Sequence, residues 1–231
     1  MILALRLARY APTWAVAEAA GLDFLGAEER ERVGTFKATA RREQFIAARW
    51  MARRLLIEQR GGIPADWELG AIAHTPPRLV RGPDPALHVG LSHSGDWMAC
   101  VISTLPVGID LETVTRPRRV APLARQSCSA EEQALLATLP PEQQLAAFYR
   151  MWTQKEAWLK QRGLGIDFSL MRGLRVRDAA AGEPVNGLGY FDAAAGLRLA
   201  LSAESLQPGQ RMETNGLSFV EETWWLEQTA S

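Results

Sequence analysis

Two long segments of this chain, residues 27–60 and 141–162, carry apolar residues at helical spacing with few residues that break a helix. Around them lie short runs rich in β-branched and alternating apolar residues, punctuated by Gly, Pro and Asp. A chain patterned in this way can be neither all-helical nor all-β. The expected class is α+β, with long helices packed on small antiparallel sheets. Gly61-Gly62-Ile63-Pro64 ends the first helical segment, Pro140-Pro141 opens the second, and Gly163 closes it. The alternation of Ile2, Leu3, Leu5 and Leu7 predicts a first strand. HVGLSHSGDWMACVIS predicts two strands around a turn at Ser92 to Asp96, and Leu105-Pro106 then leads into VGIDLE, completing an antiparallel meander. Residues 65–90 read as loops with short strands. Residues 118–138 read as helical with Ser129 as a cap, and LRLALS at 197–202 is the clearest later strand. Long helix plus small sheet thus occurs twice, in residues 1–104 and again in 105–231.

Charge and cysteine usage exclude several classes. Lysine plus arginine number 26 and aspartate plus glutamate also 26 in a chain of 231 residues, so no global basic field marks a bulk nucleic-acid binder. Cys100 and Cys128 form neither a CxxC pair nor a partner to a histidine cluster, which argues against a structural zinc site. The N-terminal apolar run is interrupted by Arg6 and Arg9. The longest uncharged stretch, residues 97–109, is too short for a bilayer and contains Pro106. A soluble, cytoplasmic protein is expected.

VGIDLE, residues 107–112, places Asp110 and Glu112 two apart in a strand, so both side chains address one face while Val107, Ile109 and Leu111 address the other. This is either ordinary alternation or a pair of oxygen ligands for a hard cation. In FYRMWTQKEAWLKQRG, Glu156 and Lys160 stand four apart on one flank of an apolar helix face formed by Phe148, Trp152 and Leu159. They are a surface pair or part of a site. Lys155 projects between Phe148, Met151 and Leu159, where its ammonium must either snorkel to water or meet an anion. Along the first long helix Arg42, Arg49, Arg53 and Arg60 edge the apolar stripe. Their stems either cover the core or their guanidinium groups hold phosphate. Ser92, His93 and Ser94 in LSHSGDW, and Arg78 in PPRLV, are weak signals taken singly.

Taken together and in order, these segments resemble the 4′-phosphopantetheinyl transferases, in the larger two-lobed type related to the surfactin-synthetase activator. The resemblance is carried by VGIDLE at 107–112, WTQKEAWLK at 152–160, LSHSGDW at 91–97 and GLGI at 163–166. It covers roughly residues 33–170. Arg78 stands where the family has a basic residue in a GKP-like segment, a departure from the common form. The resemblance implies two similar α+β lobes related by a pseudo-twofold axis, with the active site between them. It implies transfer of the phosphopantetheine arm of coenzyme A to a serine of an acyl- or peptidyl-carrier protein, with release of adenosine 3′,5′-bisphosphate. It further implies Mg²⁺ held by Asp110, Glu112 and Glu156, and Lys160 on the pyrophosphate. Lys155 would lie on another phosphate or the pantetheine. Arg49, Arg78, Ser92 and His93 would lie at the nucleotide end, with Arg53 a lesser candidate. Glu131, Glu156 or a water on the metal would serve as general base. A monomer acting on neither nucleic acid nor membrane is implied. Two other readings remain open at this point: a metal-dependent nucleotide pyrophosphatase, and a non-catalytic carrier- or nucleotide-binding module.

Overall fold

The computed structural model of the chain describes residues 1–72, 75–115, 119–180, 183, 185–209 and 212–229. Its elements run β1 (Ile2–Arg9), α1 (Tyr10–Ala19), α2 (Ala27–Gly34), α3 (Thr39–Arg60), β2 (Glu68–Leu69), β3 (Leu79–Arg81), β4 (His88–Ser94), β5 (Trp97–Ser103) and β6 (Val107–Thr113). They continue with α4 (Val120–Ser127), α5 (Ala130–Thr138), α6 (Pro141–Gln161), α7 (Phe168–Arg172), β7 (Leu174–Asp178), β8 (Val185–Asp192), β9 (Leu197–Leu206) and β10 (Val220–Gln228). The class is α+β, and all the described ladders are antiparallel.

Three strands form one sheet in the order β1-β5-β4, and five form another in the order β6-β9-β8-β10-β7; β2 and β3 make a small third. One face of the first sheet packs on α3 through Ala52, Leu55, Leu56, Val89, Met98, Cys100 and Ile102. Its other face shares a core with the second sheet, where Leu5, Leu7, Ala99 and Val101 meet Val107, Ile109, Leu111, Leu199 and Leu201. The far face of the second sheet packs on α6 through Phe148, Met151, Ala157, Ala200 and Trp224. The layers therefore read α3, sheet, shared core, sheet, α6. Val107, Ile109 and Leu111 point into the shared core, so the carboxylates of β6 lie on the side that carries α6.

Three local expectations need correction. The segment read as one helix over 27–60 is two. After Gly34 the chain turns back, with the Thr35 amide on the Arg32 carbonyl, and Ala38 is extended before α3 begins. Gly and Thr are poor helix formers, and the break lets Glu29 of α2 reach Arg53 of α3. The expected helix at 118–138 is also two, α4 and α5, parted at Cys128 (residue 118 itself lies outside the described residues). Ser129 does cap α5, accepting the Glu132 amide at 3.3 Å. Finally, β4 and β5 form the expected hairpin, closed at Gly95-Asp96, but no meander continues from it. β6 leaves that sheet and ladders with β9. Among the described residues no helix is long and apolar enough to cross a membrane.

Candidate active site

The two sheets meet where β4 lies beside β6, and side chains do the joining. Ser92 and Ser94 are two apart, as are Asp110 and Glu112, so the hydroxyls and carboxylates fall in matching register. The Ser92 hydroxyl donates to Asp110 Oδ1 at 3.0 Å and accepts the Leu111 amide at 3.1 Å. The Ser94 hydroxyl donates to Glu112 Oε2 at 2.9 Å and accepts the Thr113 amide at 3.0 Å. Each serine thus satisfies an edge-strand N–H that the ladder leaves over and orients one carboxylate.

Gly108 sets the third side of the site. A Cβ at this position would stand 1.8 Å from the carbonyl oxygen of Ala157 and 2.4 Å from the amide of Gln161. Only a residue without a side chain lets α6 lie this close to β6. That contact carries Glu156 and Lys160 to the carboxylate strand. Lys160 Nζ is 2.6 Å from Asp110 Oδ1, 3.3 Å from the Ser92 hydroxyl and 3.6 Å from Glu156 Oε2. The glycine of VGIDLE therefore fixes the distance between strand and helix.

Of these groups, Glu156 and Lys160 line a cleft of about 510 Å³. Its apolar lining comes from both halves of the chain, with Pro76, Pro77 and Leu91 on one side and Val107, Leu159, Leu164 and Ile166 on the other. Glu156 and Lys160 are the ionisable residues among its described lining. Burial, with Asp110 and Glu112 nearby, pushes the Glu156 carboxyl up to about 7, although Lys160 opposes the rise. Burial works against the Lys160 ammonium, but Asp110 and Glu156 outweigh it and raise its pKa.

The other expected site residues divide. His93, next to Ser92, takes the Arg41 guanidinium on Nε2 at 3.1 Å. Its outer edge reaches solvent, yet packing around the ring and the cations Arg41 and Lys160 lower the imidazole to about 4. Arg53 is wholly buried and bidentate to Glu29, with its Nε on the Pro64 carbonyl, so it joins α3 to α2. Arg49 is also buried, 3.8 Å from the same glutamate, and its Nη1 has no hydrogen-bond partner among the described residues. Burial lowers its pKa to about 10, against the pull of Glu29. Arg78 is exposed, one residue beyond the prolines that line the cleft.

Lys155 and Glu131 are placed elsewhere. Lys155, expected to snorkel or to meet an anion, meets an internal one: it pairs with Glu132 and donates to the carbonyls of Ser127 at 3.0 Å and Met171 at 2.8 Å. Its three donors are all engaged inside the core under α6. Glu131 turns outward at the start of α5, bonded by the Ser129 hydroxyl, and that backbone amide and hydroxyl hold its carboxyl below the usual range. The glutamate that faces inward is the next one, Glu132. The pattern Ser-x-x-Glu at 129–132 is a capping box, a signal present in the sequence but passed over there. Arg41, the partner of His93, was likewise missed, whereas Ser94, a weak signal taken singly, is the partner of Glu112.

The donor set suits a hard cation that keeps some waters and takes phosphate oxygens. Asp110 Oδ2 is buried with no hydrogen-bond partner among the described residues, which leaves it a lone pair for a ligand. Among the described residues no group of three or more His, Cys, Asp or Glu side chains is placed to hold a metal ion. An open site with two carboxylates is what these positions fit.

A family description, the 4′-phosphopantetheinyl transferase superfamily, matches residues 106–205, which hold β6, α6 and β9 together with Asp110, Glu156 and Lys160. Over those residues the chain is similar to that superfamily. Among its curated relatives is a 4′-phosphopantetheinyl transferase of Bacillus subtilis, 30% identical over 146 residues, which are 63% of this chain and 63% of that protein. A 4′-phosphopantetheinyl transferase of Bacillus pumilus is 42% identical over 86 residues, 37% of this chain and 36% of the relative. A phosphopantetheinyl transferase of a Thraustochytrium species is 33% identical over 197 residues, 78% of this chain and 66% of the relative. The matches thus span less than two thirds of each of these three relatives. The superfamily match falls on the strand and helix that Gly108 holds together, whereas Arg49, Arg78, Ser92 and His93 lie outside it.

Proposed function

We propose that this protein transfers the 4′-phosphopantetheine arm of coenzyme A to a serine of an acyl- or peptidyl-carrier protein, in a Mg²⁺-dependent reaction that releases adenosine 3′,5′-bisphosphate. The observation that carries the reading is that Lys160, which with Glu156 lines a cleft formed by both halves of the chain, pairs with both Glu156 and Asp110.

Asp110 through its unbonded oxygen, Glu112 and Glu156 would hold the cation. Bound there, Mg²⁺ supplies positive charge to the pyrophosphate of coenzyme A and fixes its orientation. Lys160 binds the same pyrophosphate from the helix side. Charge gathers on the phosphoryl and leaving oxygens during the transfer, so a fixed ammonium in a partly dry cleft stabilises that state more than the ground state. Ser92 holds Asp110 in place. Glu156 lines the cleft and takes the proton from the substrate hydroxyl. The apolar walls, including Leu91, Leu159 and Ile166, restrict water at the reacting phosphorus and so favour the serine over hydrolysis.

At the nucleotide end, Arg49, His93 and Arg78 contact the 3′-phosphate and its neighbourhood, with the unpartnered Nη1 of Arg49 in support. The lobes are residues 1–104 and 105–231, related by a pseudo-twofold axis. In support, each half starts with a strand, follows with a long helix and then a hairpin, and the sheet orders β1-β5-β4 and β6-β9-β8 correspond. A monomer acting in the cytoplasm completes the reading.

The test is direct. The protein is incubated with Mg²⁺, coenzyme A and apo carrier domains of both kinds, and the carriers are weighed by mass spectrometry. A gain of one phosphopantetheine is expected. Free phosphopantetheine with unmodified carriers would instead mark a pyrophosphatase.

A further inference from the structure

Four large apolar side chains stand in solvent at alternate positions just after α6. Leu164, Ile166, Phe168 and Leu170 are 40%, 58%, 40% and 41% exposed. Leu164 and Ile166 also line the cleft with Glu156 and Lys160, so the run is an outward continuation of the site. Trp152 backs it, its ring centroid 6.3 Å from that of Phe168. Large exposed apolar side chains grouped in one segment beside a site mark an interaction face more often than an idle one.

Arginines predominate among the exposed charges around the run, with Glu204 near Arg162. Arg162 is exposed at its start, with its guanidinium 3.7 Å above the Trp158 ring. Arg172 is exposed at its end, donating to the Gln126 carbonyl, and exposed Arg125 lies next to Gln126 in the chain. The acid within the run, Asp167, is engaged as the α7 cap, its Oδ1 accepting the Ser169 and Leu170 amides. What remains facing outward is a set of apolar side chains between arginines, with Glu204 beside the arginine at one end.

We infer that residues 164–170, flanked by Arg125, Arg162 and Arg172, are the docking face for the serine-bearing carrier. The face it recognises is apolar at its middle and acidic at its rim. The inference rests on the transferase reading: a hydroxyl carried by a folded protein reaches Glu156 and Lys160 only if that protein settles on the rim of the cleft. An apolar centre inside a charged rim is the ordinary build of such a contact, and complementary charge steers the approach.

Leu170→Glu and Arg172→Glu test it, because neither residue lines the cleft. Carrier KM and kcat, the Kd for coenzyme A by calorimetry, and the thermal midpoint are measured for each. Each variant is expected to raise carrier KM by about tenfold or more, with kcat at saturating carrier, coenzyme A affinity and thermal midpoint held at wild-type values. Wild-type carrier KM in both variants overturns the docking face while leaving the transfer reaction standing. Weakened coenzyme A binding assigns the run to the nucleotide site and also overturns it. A wild-type protein that modifies no carrier overturns the functional reading, and the docking face with it.

Discussion

Lys155 and Lys160 lie on one helix, and each meets a carboxylate. The Lys155–Glu132 pair itself is fully bonded. Its ammonium has Glu132 and two carbonyls, and Glu132 in turn accepts the amides of Ser129 and Val176. Around Lys160 the account is left open. Asp110 keeps an unpartnered oxygen, and Lys160 and Glu156 both face the cleft. The first arrangement joins α4, α5, α6 and α7 into one body; the second holds charge ready for something that is not part of the chain. Buried charge alone does not separate structure from function; completeness of its hydrogen bonding does.

The largest effect expected from this contrast falls on the closed pair. Lys155→Ala leaves Glu132 buried without its cation and is expected to cost about 3–5 kcal/mol of stability, read as a large loss in denaturant midpoint. A change under about 1 kcal/mol would place the pair among weak surface bridges and break the comparison. Next in size is Gly108→Ala, whose Cβ meets the Ala157 carbonyl. It is expected to cost about 1–3 kcal/mol by forcing α6 off β6, with a fall in turnover well beyond what the lost stability explains. Wild-type turnover at wild-type stability would show that the glycine does not set the site.

A smaller effect belongs to the nucleotide end. Arg49→Ala is expected to raise KM for coenzyme A far more than KM for dephospho-coenzyme A; equal increases would remove Arg49 from the 3′-phosphate. Smallest of all is the acid response of His93. Its folded-state pKa lies near 4, below the unfolded value of about 6.5, so the folded protein resists protonation that the unfolded chain accepts. The neutral ring carries no penalty above that range, and destabilisation grows as pH falls from about 6.5 to about 4. His93→Gln is expected to flatten this limb of the stability–pH curve slightly. An unchanged limb would mean that the ring is freely solvated.

Much of this was written locally in the sequence. The face shared by Asp110 and Glu112, the α6 flank bearing Glu156 and Lys160, the Ser129 cap and the hairpin around Gly95 all follow from periodicity and turn residues. Other features depend on contacts between distant segments and had no local signal. Strand pairing is one: β6 follows β5 after a short turn, yet its partner is β9, and nothing in VGIDLE specifies that choice. Arg53 and Arg49 are another, because the same edge of α3 holds both, and only the break at Gly34 brings Glu29 against them. Glu131 and Glu132 show the limit at single-residue scale. Both open α5, and the capping box alone distinguishes the one that turns inward.

The open side of the comparison stands or falls on Asp110. Its replacement by asparagine keeps the shape and removes the charge from the open side of the comparison. Carrier mass gain and thermal midpoint, measured together on Asp110→Asn with Mg²⁺ and coenzyme A, test it. A folded protein with near-wild-type thermal midpoint and essentially no modified carrier is the predicted result. Wild-type carrier modification by that variant would contradict the assignment of this cleft as the site of transfer.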